Sequence, residues 1–180
     1  MRSALTIGAT RRRRIVDSAI GWAMARLGAT DHALRCLAFV EEAYERPNGI
    51  EVFGGDSARE SAERYGADAA SGPAPKGAFV FFDCEGPVNG VVRNWGHVGL
   101  ALGDGRMVHA WGTVRVDPIA DVPALPGAPG WSAPAYLGWA SPEEILEGAI
   151  ERDWRPDRPR RDGSDRETTS AVRDEPAFPR

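Results

Sequence analysis

The chain has 180 residues, room for one core of about 100–150 residues, the usual size of a single domain. A hydrophobic content of 42% suits a packed core, and a formal charge of −4 with scattered basic residues excludes the cationic stripe of a nucleic-acid binder. Two cysteines, Cys36 and Cys84, exclude a disulfide scaffold, and no stretch reaches the ~20 apolar residues of a membrane span.

Residues 1–14 read as a flexible basic leader ending in Arg11 to Arg14. Asp17 and Arg26 interrupt the apolar stretch that follows, so it reads neither as an export signal nor, despite Thr10-Arg11-Arg12, as a twin-arginine signal. The expected location is the cytoplasm, or outside the cell by a route without a clear signal. Ile15, Ala19, Trp22, Ala23 and Leu27 recur at helical spacing, which predicts a helix over 15–28 stopped by Gly28. A second helix is expected from Asp31 or His32 to Arg46, with Cys36, Val40, Ala43 and Tyr44 on its apolar face. A short third one spans 56–66, capped by Asp56 and ended by Gly66.

After Pro73 the period changes. Ala78 to Phe82 is a strand-forming run, followed by strands at His97 to Leu102, Arg106 to Ala110, Thr113 to Val116 and Tyr136 to Trp139. Helices first and strands afterwards predict an α+β fold, with N-terminal helices packed on a mostly antiparallel sheet of about five strands. The Pro-rich residues 118–135 read as a surface loop, and Pro142 to Ile150 as a closing helix capped by Ser141. The compact domain is thus expected over 15–150. Residues 151–180, rich in Arg, Asp, Glu and Pro, read as a disordered charged tail.

The chemistry concentrates in the hairpin around Gly103-Asp104-Gly105. A two-residue loop sets Leu100 opposite His109 and points His97 and His109 to opposite faces. A three-residue loop pairs Leu102 with Arg106 and Gly99 with His109, bringing the two histidines to one face roughly 7–8 Å apart at the backbone. Gly105 suits the left-handed last position of the longer loop. Val98, Leu100 and Val108 then share a core face. His97, Gly99, Ala101 and His109 share the other, where small residues leave room for the helix that carries Cys36. A thiol, a base and a group that orients the base make an activated nucleophile. With Asp31 as the cap, Cys36 lies beyond the first helical turn and the helix dipole acts on it weakly.

Neither a buried cysteine on a helix nor a histidine on a strand is informative alone. A structural zinc site usually presents close ligand pairs such as Cys-x-x-Cys, which Cys36, Cys84, His97 and His109 do not form, so no metal and no cofactor are expected. His32 reads as a surface or rim residue.

These segments resemble the NlpC family, papain-like enzymes that cut peptides in bacterial cell walls. Ile15 to Gly28 resembles the first helix of that family, Arg35 to Val40 with Ala43-Tyr44 its catalytic helix, and Pro75 to Phe82 with Gly96 to Ala110 its first strand and histidine hairpin. The resemblance covers residues 15–140. It implies a papain-like fold with Cys36 as nucleophile, His97 as base and His109 as the third, orienting residue. Phe82-Asp83-Cys84-Glu85-Gly86 is closer in letters to the family's Asp-Cys-Ser-Gly. Yet Cys84 follows the first strand and leaves no room for a catalytic helix before His97, so it is assigned to the loop joining two strands. Family members usually carry Asp before and Ser after the nucleophile, whereas Arg35 and Leu37 stand here. Arg35, Leu37, Trp95 and Trp111 are the candidate substrate-binding residues. The expected activity is a cysteine peptidase or amidase acting on a peptide or peptidoglycan fragment, as a monomer. An acyltransferase or thioesterase on the same fold, or an inactive binding module, are the alternatives.

Overall fold

The computed structural model describes residues 4–154. Helix α1 spans Ala9–Met24 and helix α2 Cys36–Glu45, with strand β1 at Ile50–Glu51 and helix α3 at Ala58–Tyr65. Strands β2 (Phe79–Asp83), β3 (Glu85–Val88), β4 (Val91–Asn94), β5 (His97–Ala101), β6 (Arg106–Trp111) and β7 (Thr113–Pro118) follow. A 3-10 segment over Ile119–Ala124 leads to β8 (Ala135–Ala140), the one-turn helix α4 (Pro142–Ile145) and β9 (Ile150–Glu151). Five strands form one antiparallel sheet in the order β7-β6-β5-β2-β8. The α+β architecture expected from the sequence is therefore present, with helices on one face of a five-stranded sheet. No helix among the described residues is long and apolar enough to cross a membrane.

The sheet has two apolar faces, separated by the two-residue period of its strands. Phe79, Phe81, Val98, Leu100, Val108 and Ala110 face α1 and α2, packing against Ile15, Ala19, Phe39, Val40 and Tyr44. Each fully buried Phe or Leu of this layer stabilises the fold by about 1.5–3 kcal/mol. Val80, Phe82, Ala101 and Met107 line the opposite face, under Val122, Ile119 and Leu125 of the long 118–135 connection. That connection is thus partly a structured cover, since its apolar residues have a sheet face to bury.

The β5–β6 hairpin adopts the longer loop. Leu100 pairs with Val108, the Leu102 amide donates to the Arg106 carbonyl at 2.9 Å, and Gly105 sits at φ +83°. Continuing the register sets Gly99 against His109. A Cβ on Gly99 would lie 2.7 Å from Met107 Sδ and 3.0 Å from His109 Cβ, so glycine lets β5 and β6 pack here without displacing Met107 or His109.

Several expectations are corrected. Residues Ala9 to Arg14 belong to α1 and not to a flexible leader, because Arg11 pairs with Glu151 and Arg12 with Glu143, and arginine favours helix. The second helix starts at Cys36, not at Asp31 or His32. Gly28 and Ala29 exchange backbone hydrogen bonds with Val114 of β7, and Leu34 adopts a left-handed φ of +59°, so the intervening segment turns and does not coil. His32 is buried, its ring edge-on to Trp22 and Phe39 and its Nε2 3.4 Å from Glu42, so it is a core residue and not a rim one. Ser57, not Asp56, caps α3 by accepting the Glu60 amide. The closing helix is confined to Pro142–Ile145, opened by a Ser141–Glu144 capping box, and β9 then pairs with β1. Residues 151–154 are held there too, Trp154 Nε1 donating to the Ile50 carbonyl at 2.8 Å. The remainder of the expected tail lies outside the described residues. The β3–β4 hairpin was not anticipated, although Asn89-Gly90, both at positive φ, is a strong two-residue turn signal.

Replacing Gly99 with alanine should push β5 from β6 and lower stability by about 1–3 kcal/mol, the usual cost of overpacking. Urea denaturation of the two proteins checks this, and an unchanged midpoint would show that Met107 alone absorbs the methyl.

Candidate functional site

A cavity of about 830 Å³ opens where the N-terminus of α2 meets the start of β5. Cys36, His97, Arg35, Leu37, Trp95 and Trp111 all line it, so every candidate residue except His109 reaches this one space. His109 lies directly behind His97, fully buried. Cys84 also borders the cavity, but its thiol is tied to the Ser132 carbonyl at 3.5 Å and it sits at the β2–β3 junction.

The helix reaches the site in an unexpected way. It packs on the Val98, Leu100 and Val108 face, not on the histidine face. Small residues did not draw the helix to the histidine face, because the 3-10 segment and its Val122 already cover that side. Cys36, the first residue of α2, borders the same cavity as His97, near the Val98 amide at the start of β5. It therefore lies at the positive end of the helix dipole and not beyond its first turn. Its thiol is approached by the backbone amides of Val98, Leu37 and Cys36 itself.

On the histidine face, three neighbouring strands contribute one hydrogen-bonded row. His97 Nε2 is 2.7 Å from His109 Nδ1, and His109 Nε2 is 2.9 Å from Asp117 Oδ2. Arg115 closes the row, donating from Nε at 2.5 Å and from Nη2 at 2.7 Å to the two oxygens of Asp117. The pairing of His109 with Arg115 and of Met107 with Asp117 places all of these side chains on the same face. Trp111 stands edge-on to the His97 ring, 4.9 Å between centroids. His97 uses Nε2 on His109, which leaves Nδ1 as the ring nitrogen available to the cavity.

Burial dominates the protonation states. It pushes the Cys36 thiol up to about 11, and the three backbone amides that favour the thiolate do not outweigh it. Burial, reinforced by the neighbouring His109, holds His97 well below 6.5. His109 is lowered chiefly by burial, against the raising effect of Asp117. Asp117 is raised by partial burial, but its bonds to Arg115 and His109 outweigh this and hold it below 3.8. Near neutral pH the site therefore holds a thiol, two neutral imidazoles and one carboxylate. Cys36 and His97 share the cavity, with no direct hydrogen bond between them among the described residues.

The sequence reading missed three further residues. Trp131 of the 118–135 connection forms a third indole wall, packed so closely on Gly86 that a Cβ there would lie 2.1 Å from the ring. Glu41, one turn along α2, also lines the cavity, and burial with the nearby Glu45 pushes its carboxyl up to about 8. Asp117 is the third; its place depends on the β6–β7 register, and Arg115-Val116-Asp117 alone carries no chemical motif.

A family model described as the NlpC/P60 family matches residues 25–123, more than half of the chain. The chain belongs to the NlpC/P60 family. Among solved structures it is similar to an NlpC/P60 family protein from Bacillus cereus, with 20% identity, 69% of this chain and 39% of that one covered, and a TM-score of 0.42. It is also similar to the peptidoglycan hydrolase RipB from Mycobacterium tuberculosis, with 19% identity, coverage of 72% and 67%, and a TM-score of 0.42. The chain thus spans well under half the length of the first of these. No curated protein matches it by sequence.

Because His97 is lowered below 6.5 in the folded chain, the unfolded chain binds protons more tightly. Stability from this group is complete above 6.5 and is lost as pH falls below it toward the folded value. Urea midpoints measured down a pH series should fall in that window, with a shallower fall in His97→Gln; equal slopes in the two proteins would contradict it.

Proposed function

We propose that the protein is a cysteine hydrolase that cleaves an amide bond, with peptides of bacterial peptidoglycan as the substrate class. The observation that carries this reading is a buried imidazole pair ending at the cavity where a helix-terminal thiol lies. Family membership supports a cell-wall peptide as the substrate.

The neutral resting state determines the order of events. His97 Nδ1 takes the Cys36 proton as the sulfur attacks the carbonyl carbon, so no stable thiolate–imidazolium pair precedes attack. The amides of the first turn of α2, Cys36 and Leu37 among them, have no intrahelical acceptor and are placed to receive the oxyanion. The C–N bond then breaks, His97 returns its proton to the departing amine, and a thioester remains on Cys36. Water, deprotonated by His97, adds to the thioester and releases the acid with the thiol restored. Arg35 and Leu37 flank the nucleophile in place of the family's usual Asp and Ser, so peptide recognition falls to the indoles, Arg35 and Glu41.

The apolar walls favour one second reading, hydrolysis or transfer of an acyl chain. Trp95 and Trp111 donate their Nε1 protons to the carbonyls of Gly86 and Pro126, which leaves carbon surface toward the cavity.

Purified peptidoglycan incubated with the protein should release new amines. Cys36→Ala should abolish release, and His97→Ala should slow it by about 10²–10⁴-fold, the usual contribution of a general base. Release that persists in Cys36→Ala would refute the assignment. A failure to release amines, together with ester hydrolysis that accelerates with acyl length, would favour the second reading.

A further inference from the structure

We infer that Asp117, clamped by Arg115, is a positioning residue that sets the tautomer of His97 through His109 and so keeps Nδ1 unprotonated on the cavity side. The inference deepens the proposed cysteine chemistry and rests on it for its use.

The derivation is one of donor counting along the row. An ionised carboxylate only accepts hydrogen bonds, and the Arg115 guanidinium only donates them. With both of its oxygens engaged by Arg115, Asp117 presents Oδ2 to His109 Nε2 at 2.9 Å, so that nitrogen must carry the proton. A neutral His109 then has a bare Nδ1, which can only accept. His97 Nε2, 2.7 Å away, must be the donor, and a neutral His97 has one proton to give. Its remaining nitrogen, Nδ1, is therefore a lone pair on the side of the cavity that Cys36 lines. Reversing either imidazole would set two protons or two lone pairs against each other, inside a face where His109 is fully buried and His97 only 3% exposed. A mismatch between groups so enclosed is costly.

Arg115 has a definite part in this. It pairs directly with His109 across the β6–β7 ladder yet turns its guanidinium to Asp117. A partly buried aspartate without that clamp would be more readily protonated, and a protonated Asp117 could donate to His109 and invert the row. The salt bridge therefore protects the direction of the relay by keeping both oxygens of Asp117 as acceptors.

The test uses the full chain labelled with ¹⁵N-histidine, read by long-range proton–nitrogen correlation near neutral pH. His97 should show a protonated Nε2 and a pyridine-like Nδ1, and His109 the same pattern. Asp117→Asn, close in shape, should shift His97 toward a mixture of tautomers, because an amide can donate as well as accept. Asp117→Glu should restore the native pattern in part. A parallel reading is the rate at which p-nitrophenyl acetate acylates Cys36, followed by the nitrophenol burst. That rate should fall at least about tenfold in Asp117→Asn, in the direction known for triads whose aspartate becomes asparagine. The urea midpoint of each variant separates this effect from unfolding.

A native His97 with Nδ1 protonated would overturn the inference, as would an Asp117→Asn protein with unchanged tautomer and burst. Cys36→Ala keeps the row and should keep its tautomers. If the native tautomers are as derived but Cys36 is not acylated and peptidoglycan is not cut, the relay stands and the hydrolase reading fails. If peptidoglycan is cut but Asp117→Asn changes neither signal, the reverse holds.

Discussion

The register of the β5–β6 hairpin governs everything that the site can do. Side chains alternate across a strand, so a slip of one residue moves a whole set to the other face. With Gly103, Asp104 and Gly105 as the loop, His109 falls behind His97 and within reach of Asp117 on the next strand. With one residue fewer, His109 would enter the layer that packs on α1 and α2. Gly105 at positive φ and the missing side chain at Gly99 act on opposite ends of the same hairpin, and both favour the observed pairing.

A second constraint is the burial around Cys36 and His97. Cys36 stands at a helix N-terminus, yet burial acts against charge on both the thiol and the imidazole. The one lasting charge pair is moved two residues back, to Asp117 and Arg115, where the carboxylate is less enclosed. Near neutral pH the thiol that borders the cavity is therefore held in its neutral form.

The parts of this arrangement that depend on local pattern were legible in the sequence. The helix-then-strand order, the central strands and the three-residue loop follow from periodicity and turn chemistry, and the loop sufficed to join His97 with His109. Other parts depend on contacts distant in the chain. The start of α2 is set by Gly28 and Ala29 pairing with Val114, some 85 residues away, and by the left-handed turn at Leu34. Apolar spacing through Asp31 to Leu34 gives no sign of either. The expectation that small residues would draw the helix to the histidine face failed because the cover of that face comes from beyond β7. Asp117 went unrecognised because an aspartate eight residues from a histidine means nothing until the strand between them is known to fold back. The β3–β4 turn, by contrast, is a local signal, carried by Asn89-Gly90 alone.

The cavity wall that carries Trp131 is held by contacts separate from the row of His97, His109 and Asp117. The β3–β4 hairpin and the 118–135 connection lock together through the Trp131 ring on Gly86, the Ser132 amide on the Glu85 carbonyl and the Ser132 hydroxyl on the Glu85 amide. Their pairing to each other does not pass through His97, His109 or Asp117. Exchanges at Gly86, Trp131 or Ser132 would therefore reshape what the cavity admits, whereas Val122 and Pro126 of the same connection stay tied to the histidine face and to Trp111.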